Sequence, residues 1–496
     1  MPETTQKIHF ILNDQPVEVA CQDSTMTLLE FLREEKNLKG TKEGCAEGDC
    51  GACTVLLGDL NQEKIQYRAI NSCIRFLPSL HGKSIITVEA ILQKDKTLHP
   101  VQQALMDEKA SQCGFCTPGF VMSLLALYLN KSKTNKDEVT QTLAGNLCRC
   151  TGYRPIVEAG CRMHDYPNPS DWSQQSAQSV KRITQLQSIQ SIPSTPSNPL
   201  PALSALTYWA PDNIEHLSQA YLENPQALLL AGGTDIGLWV TKQMRPLPLL
   251  IDLGNIAALK LVETDPGHLT IGAAVKLTDA FESLTQHYPQ LQSIADRFAS
   301  PPIRNAATLC GNLANGSPIG DCLPVLIALN AQLTLQRGAL TRKLALDAFY
   351  LGYQSNALQS GEWIRSVEIP LLPGSYRMAS YKIAKRHDQD ISTVFAAYVF
   401  EMKADHIIQA RVAYGGMAAT AKRAPLTELA LKGKTWCHDT FNQAVDCIEK
   451  DFTPLSDQRA SDQYRRQVAK NLLIRFFLEH ESQAQSMDIH HQTQPA

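Results

Sequence analysis

Residues 41–53 read TKEGCAEGDCGAC, a loop in which Cys45, Cys50 and Cys53 are separated by four and then by two residues. This C-x4-C-x2-C spacing, followed by a further thiol at Cys73, is one of the patterns that ligate a [2Fe–2S] cluster. The glycines between the thiols allow positive φ angles and bring backbone N–H groups close to sulfur. Zinc is the alternative, although zinc sites more often join two C-x2-C units.

A second group of thiols lies in two short motifs, QCGFCTPGF with Cys113 and Cys116, and GNLCRCTGYRP with Cys148 and Cys150. The residues after each pair are typical of a helix start, where free N–H groups and the positive end of the helix dipole favour an anionic thiolate cluster. A tetrahedral zinc site stays open for this group as well. Two sets of four thiols in one chain indicate a short path for electrons.

Length and composition limit the class of protein. The 496 residues predict about three domains. The hydrophobic share of 44% and the charged share of 19% are typical of a globular chain with a core, and the net charge of −3 indicates neither a nucleic acid nor a membrane partner. The N-terminus has no signal-peptide pattern, so we expect a cytoplasmic protein whose fourteen cysteines mainly bind metal.

Local patterns divide the first part of the chain. Residues 7–20 predict two strands around a turn, and a helix capped by Ser24 or Thr25 is expected to follow. Residues 54–57, 65–69 and 85–88 predict further strands, and from residue 89 the pattern becomes helical. Residues 166–200 are rich in Ser, Gln and Pro, which predicts an exposed linker and a domain boundary.

Two glycine-rich stretches follow the linker. Residues 227–237 read ALLLAGGTDIG, a strand that runs into a turn whose backbone could cradle a pyrophosphate, although it lacks the G-x-G-x-x-G fingerprint of a Rossmann fold. Residues 298–321, FASPPIRNAATLCGNLANGSPIGD, have few apolar anchors. Binding of a large polar ligand explains this second stretch better than a role in the core.

The two cysteine motifs together resemble the iron–sulfur portion of the molybdenum hydroxylases, the family of xanthine dehydrogenase and aldehyde oxidase, over residues 1 to about 165. The resemblance implies that Cys45, Cys50, Cys53 and Cys73 hold one [2Fe–2S] cluster. It implies that Cys113, Cys116, Cys148 and Cys150 hold another, which faces the molybdenum cofactor.

The later stretches resemble the flavin domain of the same family, whose fold is of the vanillyl-alcohol oxidase type. The resemblance implies a set of FAD-binding residues: Leu229, Leu230, Ala231, Gly232, Gly233, Thr234, Asp235, Ile236, Phe298, Ala299, Ala307, Thr308, Gly311, Asn312, Asn315, Gly320, Asp321, Ile364 and Lys382. It places Tyr353 and Gln389 where NAD+ docks, and the KRHDQD loop at 385–390 near the flavin. One departure is Cys310, which stands where the family usually has glycine, so this side chain is expected to point away from the flavin.

We therefore expect an α+β multidomain chain. Its predicted parts are a ferredoxin-like β-grasp [2Fe–2S] domain (1–88), an all-helical [2Fe–2S] domain (89–165), the linker (166–200), a vanillyl-alcohol-oxidase-type FAD domain (201–384), an α+β C-terminal flavoprotein domain (385–485) and an unstructured tail (486–496) that contains His490 and His491. No side chain is expected to act as a catalytic acid or base, because the clusters and the flavin carry the chemistry.

The resemblance implies the small, iron–sulfur/FAD subunit of a split enzyme, as in bacterial xanthine dehydrogenases, with molybdopterin only on a large partner subunit and a dimer of heterodimers as the assembly. Electrons from xanthine or hypoxanthine oxidation in purine catabolism would pass through the two clusters to FAD and on to NAD+. One alternative is the same subunit of another molybdenum hydroxylase, acting on aldehydes or N-heterocycles with a different acceptor. Another is a zinc-stabilised scaffold without redox function.

Overall fold

The computed structural model describes residues 6–61, 63–92, 96–169, 172, 176–192, 207–372 and 374–481. It divides into two compact units, and each is described by itself. The first unit comprises residues 1–260, 276–278 and 299–308, and the second comprises residues 261–275, 279–298 and 309–496. The predicted tail, with His490 and His491, lies outside the described residues.

The first unit begins with a mixed five-stranded sheet in the order β2-β1-β5-β3-β4. Its strands are β1 (Gln6–Leu12), β2 (Gln15–Cys21), β3 (Thr54–Asn61), β4 (Lys64–Asn71) and β5 (Ser84–Ile86). Helix α1 (Leu28–Glu30), continued by a π turn over Phe31–Glu35, covers one face and buries Phe31 and Leu32. The cap of α1 is Thr27, whose hydroxyl accepts the Glu30 N–H at 3.1 Å, and not Ser24 or Thr25 as predicted.

Four helices follow, namely α2 (Pro100–Asp107), α3 (Thr117–Asn130), α4 (Lys136–Leu143) and α5 (Tyr153–Arg162). Leu124 and Leu125 of α3 are fully buried and pack in one cluster with Ile156 and Ala159 of α5. Helix α3 is apolar around most of its surface because neighbours enclose it. The predicted change from strands to helices near residue 89 agrees with this arrangement.

The segment 166–200 is not an extended, exposed linker throughout. It contains helix α6 (Ala177–Gln190), whose Leu186 and Ile189 pack against Ile11 of β1. Arg182 is also buried, and its guanidinium binds both carboxylate oxygens of Asp14. The prediction that this segment buries little is therefore corrected for residues 177–190. The polar composition hid a single apolar stripe, which is all that a surface helix needs.

Arg182→Met is expected to release α6 from the sheet. The substitution keeps most of the volume but leaves Asp14 without its partner, and the side chains of Arg182 and Asp14 are only 5% and 19% exposed. We expect the free energy that holds α6 on the sheet to fall by about 3 kcal/mol. This value is at the lower end for a broken buried ion pair, because Asp14 retains some contact with water. Hydrogen exchange over residues 177–190 should then be about a hundredfold faster. The exposed neighbour provides the control, since Lys181→Met should leave exchange unchanged; equal exchange in both variants would contradict the prediction.

The first unit also contains a small parallel sheet in the order β6-β8-β7. Its strands are β6 (Tyr208–Trp209), β7 (Leu228–Leu230) and β8 (Leu250–Asp252), and the helices around it are α7 (Ile214–Glu223), α8 (Ile236–Thr241) and α11 (Pro301–Arg304). As predicted, β7 leads directly into the glycine turn, and α8 follows that turn.

The second unit contains an antiparallel sheet in the order β12-β11-β15-β10-β9, a hairpin β13-β14, and a four-stranded sheet β16-β17-β18-β19. The strands are β9 (Val262–Thr264), β10 (His268–Gly272), β11 (Gln332–Arg337), β12 (Leu340–Ala345), β13 (Tyr350–Gly352), β14 (Ser355–Asn356), β15 (Glu362–Pro370), β16 (Tyr376–Ile383), β17 (Val394–Lys403), β18 (His406–Gly415) and β19 (Lys422–Arg423). Strand β16, which was predicted within the FAD domain, is thus an edge strand of the C-terminal sheet.

The helices of the second unit are α9 (Leu277–His287), apart from its first two residues, α10 (Gln292–Arg297), α12 (Leu309–Asn315), α13 (Cys322–Ala328), α14 (Pro425–Leu431), α15 (His438–Val445), α16 (Ile448–Asp451) and α17 (Asp462–Glu481). Aromatic side chains form the core between α17 and the four-stranded sheet, where Tyr398 and Phe400 meet Phe476. Within the described residues, no helix has both the length and the apolarity needed to cross a membrane.

The stretch 298–321 differs from the expectation of a poor core element. It forms α11 and α12, and in α12 the side chains of Leu309, Cys310 and Leu313 are buried. Small and polar residues elsewhere in the stretch hid these three anchors.

Candidate iron–sulfur and flavin sites

The loop 41–53 turns its backbone N–H groups toward the sulfurs of the first thiol set (Cys45, Cys50, Cys53 and Cys73). The N–H groups of Asp49 and Cys50 both donate to Cys45 Sγ at 3.3 Å. The pKa of Cys45 is lowered, first by the hydrogen bond from the Cys50 thiol and then by these N–H groups. Gly51 has φ of +68°, and an added Cβ there would lie 2.1 Å from the Gly145 carbonyl oxygen. The N–H groups of the glycine-rich loop therefore favour a thiolate at Cys45.

The second thiol set (Cys113, Cys116, Cys148 and Cys150) lies at two helix starts, as predicted. Cys116 is the N-cap of α3, and Cys148 and Cys150 lie within five residues of the start of α5. The Gly152 N–H donates to Cys148 Sγ at 3.3 Å. The pKa of Cys113 is lowered, first by the N–H of Phe115.

The thiols of both sets come together as pairs. In the first set, Cys45 hydrogen-bonds to Cys50, and Cys53 to Cys73. In the second set the pairs are Cys113 with Cys150 and Cys116 with Cys148. Two ligands on each of two irons is the arrangement of a [2Fe–2S] cluster. Among the described residues, no group of three or more His, Cys, Asp or Glu side chains is already arranged to hold a metal ion.

The two thiol sets are joined by a backbone contact. The Leu147 N–H, one residue before Cys148, donates to the Cys50 carbonyl at 3.0 Å. Asn146 supports this contact, because its amide donates to the Gly51 carbonyl at 3.2 Å and accepts the Ser123 hydroxyl at 2.7 Å. A Cβ on Gly119 would lie 2.2 Å from the Gly51 carbonyl oxygen. Helix α3 therefore approaches the loop so closely that any side chain at position 119 would collide with it.

The first unit contains eleven of the residues that were predicted to bind FAD. They comprise the diphosphate loop, residues 229–236, together with Ala299, Ala307 and Thr308. A Cβ on Gly232 would lie 2.4 Å from the Ala306 carbonyl oxygen and 2.8 Å from Ala307 Cα. The diphosphate loop therefore lies directly on the backbone of residues 306–307, at a distance that only glycine allows.

The residues that follow the diphosphate loop contact the segments that carry the first thiol set. A Cβ on Gly237 would lie 2.9 Å from the carbonyl oxygen of Ile74, the residue that follows Cys73. Ile74 is buried, and it packs with Cys53, Cys73 and Leu238. Lys242, one residue past the end of α8, donates from Nζ to the Cys45 carbonyl at 2.9 Å. The strand-turn-helix of the predicted flavin site thus packs on the ligand segments of the predicted cluster.

In the second unit, the predicted residues Asp321 and Lys382 form a buried ion pair, with Nζ 2.5 Å from Oδ2 and both side chains 5% exposed. Ser392 completes the group, because its hydroxyl donates to Asp321 Oδ1 at 2.5 Å and accepts from Lys382 at 3.0 Å. Ile364 of β15 is buried in the same unit. The hydrogen bonds among these three side chains hold the Asp321 carboxylate and the Lys382 ammonium in fixed positions.

Helix α12 carries Gly311, Asn312 and Asn315, and Asn312 fits a polar ligand. Its Oδ1 is buried and has no hydrogen-bond partner among the described residues, which is costly unless a ligand or water supplies a donor. The neighbouring Cys310 points into the core, where it is 3% exposed with Sγ 3.8 Å from the Ile271 carbonyl oxygen, and burial raises its pKa to about 12. The expectation that Cys310 points away from the flavin agrees with this placement.

The two residues predicted to meet NAD+ lie in loops of the second unit. Tyr353 follows β13 and is 64% exposed, so it is not a core tyrosine. Gln389 has φ of +48° in the loop that Asp390 closes by accepting the Arg386 N–H at 2.7 Å. Tyr353 presents an open ring on which a flat ligand could stack.

Sequence reasoning missed three residues that these sites use. Asn146 was quoted only as part of a cysteine motif, and its place beside two ligands was the available signal. Lys276 stands in the apolar run GAAVKLTDAF, where an isolated cation is unusual. Ser392 had no signal, because a serine between a charged loop and a strand is ordinary.

Four domain families match the chain in succession. They are the 2Fe-2S iron-sulfur cluster binding domain over residues 10–76, the [2Fe-2S] binding domain over 87–161, the FAD binding domain in molybdopterin dehydrogenase over 204–372, and the CO dehydrogenase flavoprotein C-terminal domain over 379–480. The chain is therefore an iron–sulfur flavoprotein with two 2Fe–2S domains, which confirms the predicted fold class. This succession of domains matches the iron–sulfur and flavin portion of the xanthine dehydrogenase and molybdenum hydroxylase family.

The curated relatives include xanthine dehydrogenases of animals and fungi. Identity is 30% over 534 residues to the enzyme of Drosophila subobscura and 33% over 531 residues to that of Emericella nidulans. Each alignment takes in 96% of this chain and 39% of the relative. The chain thus spans about two fifths of the length of these relatives.

Among solved structures, the chain is similar to one from carbon monoxide dehydrogenase of Hydrogenophaga pseudoflava, with a TM-score of 0.51 and 28% identity over 54% of this chain and 95% of that chain. It is also similar to a chain of quinoline 2-oxidoreductase from Pseudomonas putida 86, with a TM-score of 0.51 and 25% identity over 55% of this chain and 96% of that chain. The similarity therefore extends to enzymes named for different substrates.

Proposed function

We propose that this chain is the electron-transfer subunit of a xanthine dehydrogenase. In this proposal, electrons from xanthine or hypoxanthine oxidation at a partner's molybdenum centre pass through two [2Fe–2S] clusters to FAD and on to NAD+, in purine catabolism. The clusters would carry one electron each, and the flavin would convert between one- and two-electron chemistry. The cytoplasmic location stays a prediction from the sequence.

The observation that carries the proposal is the unbroken series of contacts within the first unit. The Leu147 N–H to Cys50 carbonyl bond joins the two thiol sets. Ile74 then joins Cys73 to Gly237, the residue that directly follows the diphosphate loop. A structural zinc protein has no need for such a connection, whereas a chain that moves electrons needs its redox groups close and rigidly held.

We assign the cofactors to this chain's residues as follows. The first and second thiol sets each hold one [2Fe–2S] cluster. The diphosphate loop holds the FAD diphosphate, and the Asp321–Lys382 pair and Asn312 Oδ1 supply polar contacts to the flavin. Tyr353 and Gln389 contact NAD+.

A molybdopterin-binding partner is expected at the second thiol set. Cys113 is exposed there, and so are the apolar side chains of Phe115, at 48%, and Leu147, at 54%. Exposed apolar groups around a redox site favour a protein that docks on it. The arrangement of the whole assembly as a dimer of heterodimers stays a prediction.

An anaerobic titration of the purified chain with NADH tests the proposal. Joint bleaching of the flavin and iron–sulfur bands is the expected result, because FAD would meet NADH and exchange electrons with the clusters. Tyr353→Ala should raise the NADH concentration needed about tenfold, since stacking contributes about 1–1.5 kcal/mol. Tyr464→Ala, at another exposed tyrosine of the second unit, is the matched control and should change nothing.

One alternative has an observation in its favour. The similarity to carbon monoxide dehydrogenase and quinoline 2-oxidoreductase fits a subunit of another molybdenum hydroxylase, for aldehydes or N-heterocycles, with an acceptor other than NAD+. Flavin and iron–sulfur bands that NADH leaves untouched would favour this alternative. A colourless, iron-free protein would reject both in favour of a zinc scaffold.

A further inference from the structure

Lys276 lies against the diphosphate loop of the first unit, although no motif marks it. Its Nζ donates to the Ala231 carbonyl at 3.1 Å. Its backbone is bridged to Thr308, and the Leu277 N–H that follows donates to the Ala307 carbonyl at 2.8 Å. Ala231, Ala307 and Thr308 all belong to the residues assigned to FAD above. The Nζ and the backbone of Lys276 are therefore both held against the residues assigned to FAD.

Among the described residues, the ammonium of Lys276 has charged neighbours but no carboxylate bonded to it. Arg75 and Lys260 face it and repel it, while Asp252 and Asp59 attract it from a distance. Asp252 already accepts the Tyr208 hydroxyl and the Gly254 N–H, each at 2.7 Å, and Asp59 is paired with Lys83. Within the described part of the chain, no carboxylate makes an ion pair with Lys276. A buried ammonium without a bonded carboxylate is stabilised by an anion that binds on the loop beside it.

We propose that Lys276 is a positioning residue for the FAD diphosphate, which holds Ala231 in place and supplies positive charge behind the loop. The proposal rests on the assignment of FAD to this loop. The backbone N–H groups of the loop would face the phosphates, while the ammonium stabilises the bound dianion through the short Ala231 segment. An uncharged side chain at this position would leave the loop with its N–H groups alone.

The charge state of Lys276 gives the proposal a pH signature. Burial first, and then Arg75, lowers the pKa of Lys276 to about 7 in the protein without ligand. A bound diphosphate favours the charged form and therefore raises this pKa. FAD affinity should be constant below pH about 7 and should fall by about tenfold per pH unit above it, until the raised pKa of the complex is reached. Binding at pH 8 should accordingly take up a proton, and binding at pH 6 should not.

The experiment uses the full chain after reversible removal of its flavin. FAD binding is measured by quenching of flavin fluorescence and by calorimetry in two buffers of different ionisation enthalpy, which reports proton uptake without any variant. Lys276→Met should weaken FAD binding about tenfold at pH 6 and abolish the pH dependence. Lys276→Arg should bind FAD as tightly as the wild type at pH 6, and it should keep that affinity above pH 8 because arginine stays charged there. Lys260→Met removes a neighbouring cation for which the described residues show no hydrogen bond to the loop, so it should keep full affinity at pH 6.

The outcomes separate this inference from the proposed function. If the wild-type chain binds FAD with a constant affinity from pH 6 to 9 and without proton uptake, the role of Lys276 is refuted and the proposed function stands. The same holds if Lys276→Met binds FAD as well as the wild type. If the wild-type chain does not bind FAD at any pH, the proposed function itself fails.

Discussion

Cys148→Ser is expected to remove about half of the iron from the purified chain while FAD stays bound. The Cys148 thiol pairs with Cys116 and receives the Gly152 N–H at 3.3 Å, and a serine hydroxyl is a poor ligand for iron in a thiolate cluster. The first thiol set and the diphosphate loop make their own contacts through Ile74 and should persist. Iron and flavin are quantified per chain, and electron paramagnetic resonance of the reduced protein should show one signal in place of two.

Cys161→Ser is the matched control for this prediction. Cys161 lies on α5, in the same helical domain, and is half-buried, but it belongs to neither thiol set. Its substitution should leave iron and flavin unchanged. Loss of flavin from Cys148→Ser would show that the flavin site depends on the second thiol set, against the separate contacts described above. Full iron content in Cys148→Ser would exclude this thiol as a ligand.

Gly232→Ala is expected to weaken FAD binding about 5- to 150-fold. The new Cβ would lie 2.4 Å from the Ala306 carbonyl oxygen and 2.8 Å from Ala307 Cα, and both are backbone atoms that cannot rotate away. The diphosphate loop must then move away from residues 306–307, which costs about 1–3 kcal/mol. If the loop binds FAD, the free energy of FAD binding becomes less favourable by this amount. The dissociation constant of FAD is measured on the flavin-free chain by fluorescence quenching.

Gly374→Ala controls for a general effect of replacing glycine, because a Cβ there meets no atom within 4 Å and the backbone does not need a positive φ. It should bind FAD as the wild type does. Circular dichroism should show both variants folded, and both should keep their iron. Wild-type affinity in Gly232→Ala would mean that the loop does not hold the diphosphate.

The cluster-bearing part of the fold could be predicted largely from sequence. Ligand identity depends on residue type and short spacing, so Cys45, Cys50 and Cys53 indicate their chemistry without any tertiary information. Glycine requirements are similarly local, as at Gly51, where positive φ is needed. The strand and the glycine turn within 227–237 follow from the same kind of local pattern, whereas the helix after them was not predicted.

Other features could not be read locally. Helix α6 was predicted as a linker because its composition is polar, yet three buried positions and the Arg182–Asp14 pair attach it to β1. The short apolar anchors of α12 were hidden in the same way among small residues. In both cases tertiary contacts outweighed the composition.

By itself the sequence determined the kinds of ligand, the glycines near them and the order of the domains, because these depend on residue type and on spacing along a few turns of chain. The pairing of Cys53 with Cys73, the contact of Ile74 with Gly237 and the place of Lys276 against Ala231 were decided only by the tertiary structure. Such contacts join residues that are distant in sequence. Their geometry is set by how whole elements pack, and no single segment encodes it.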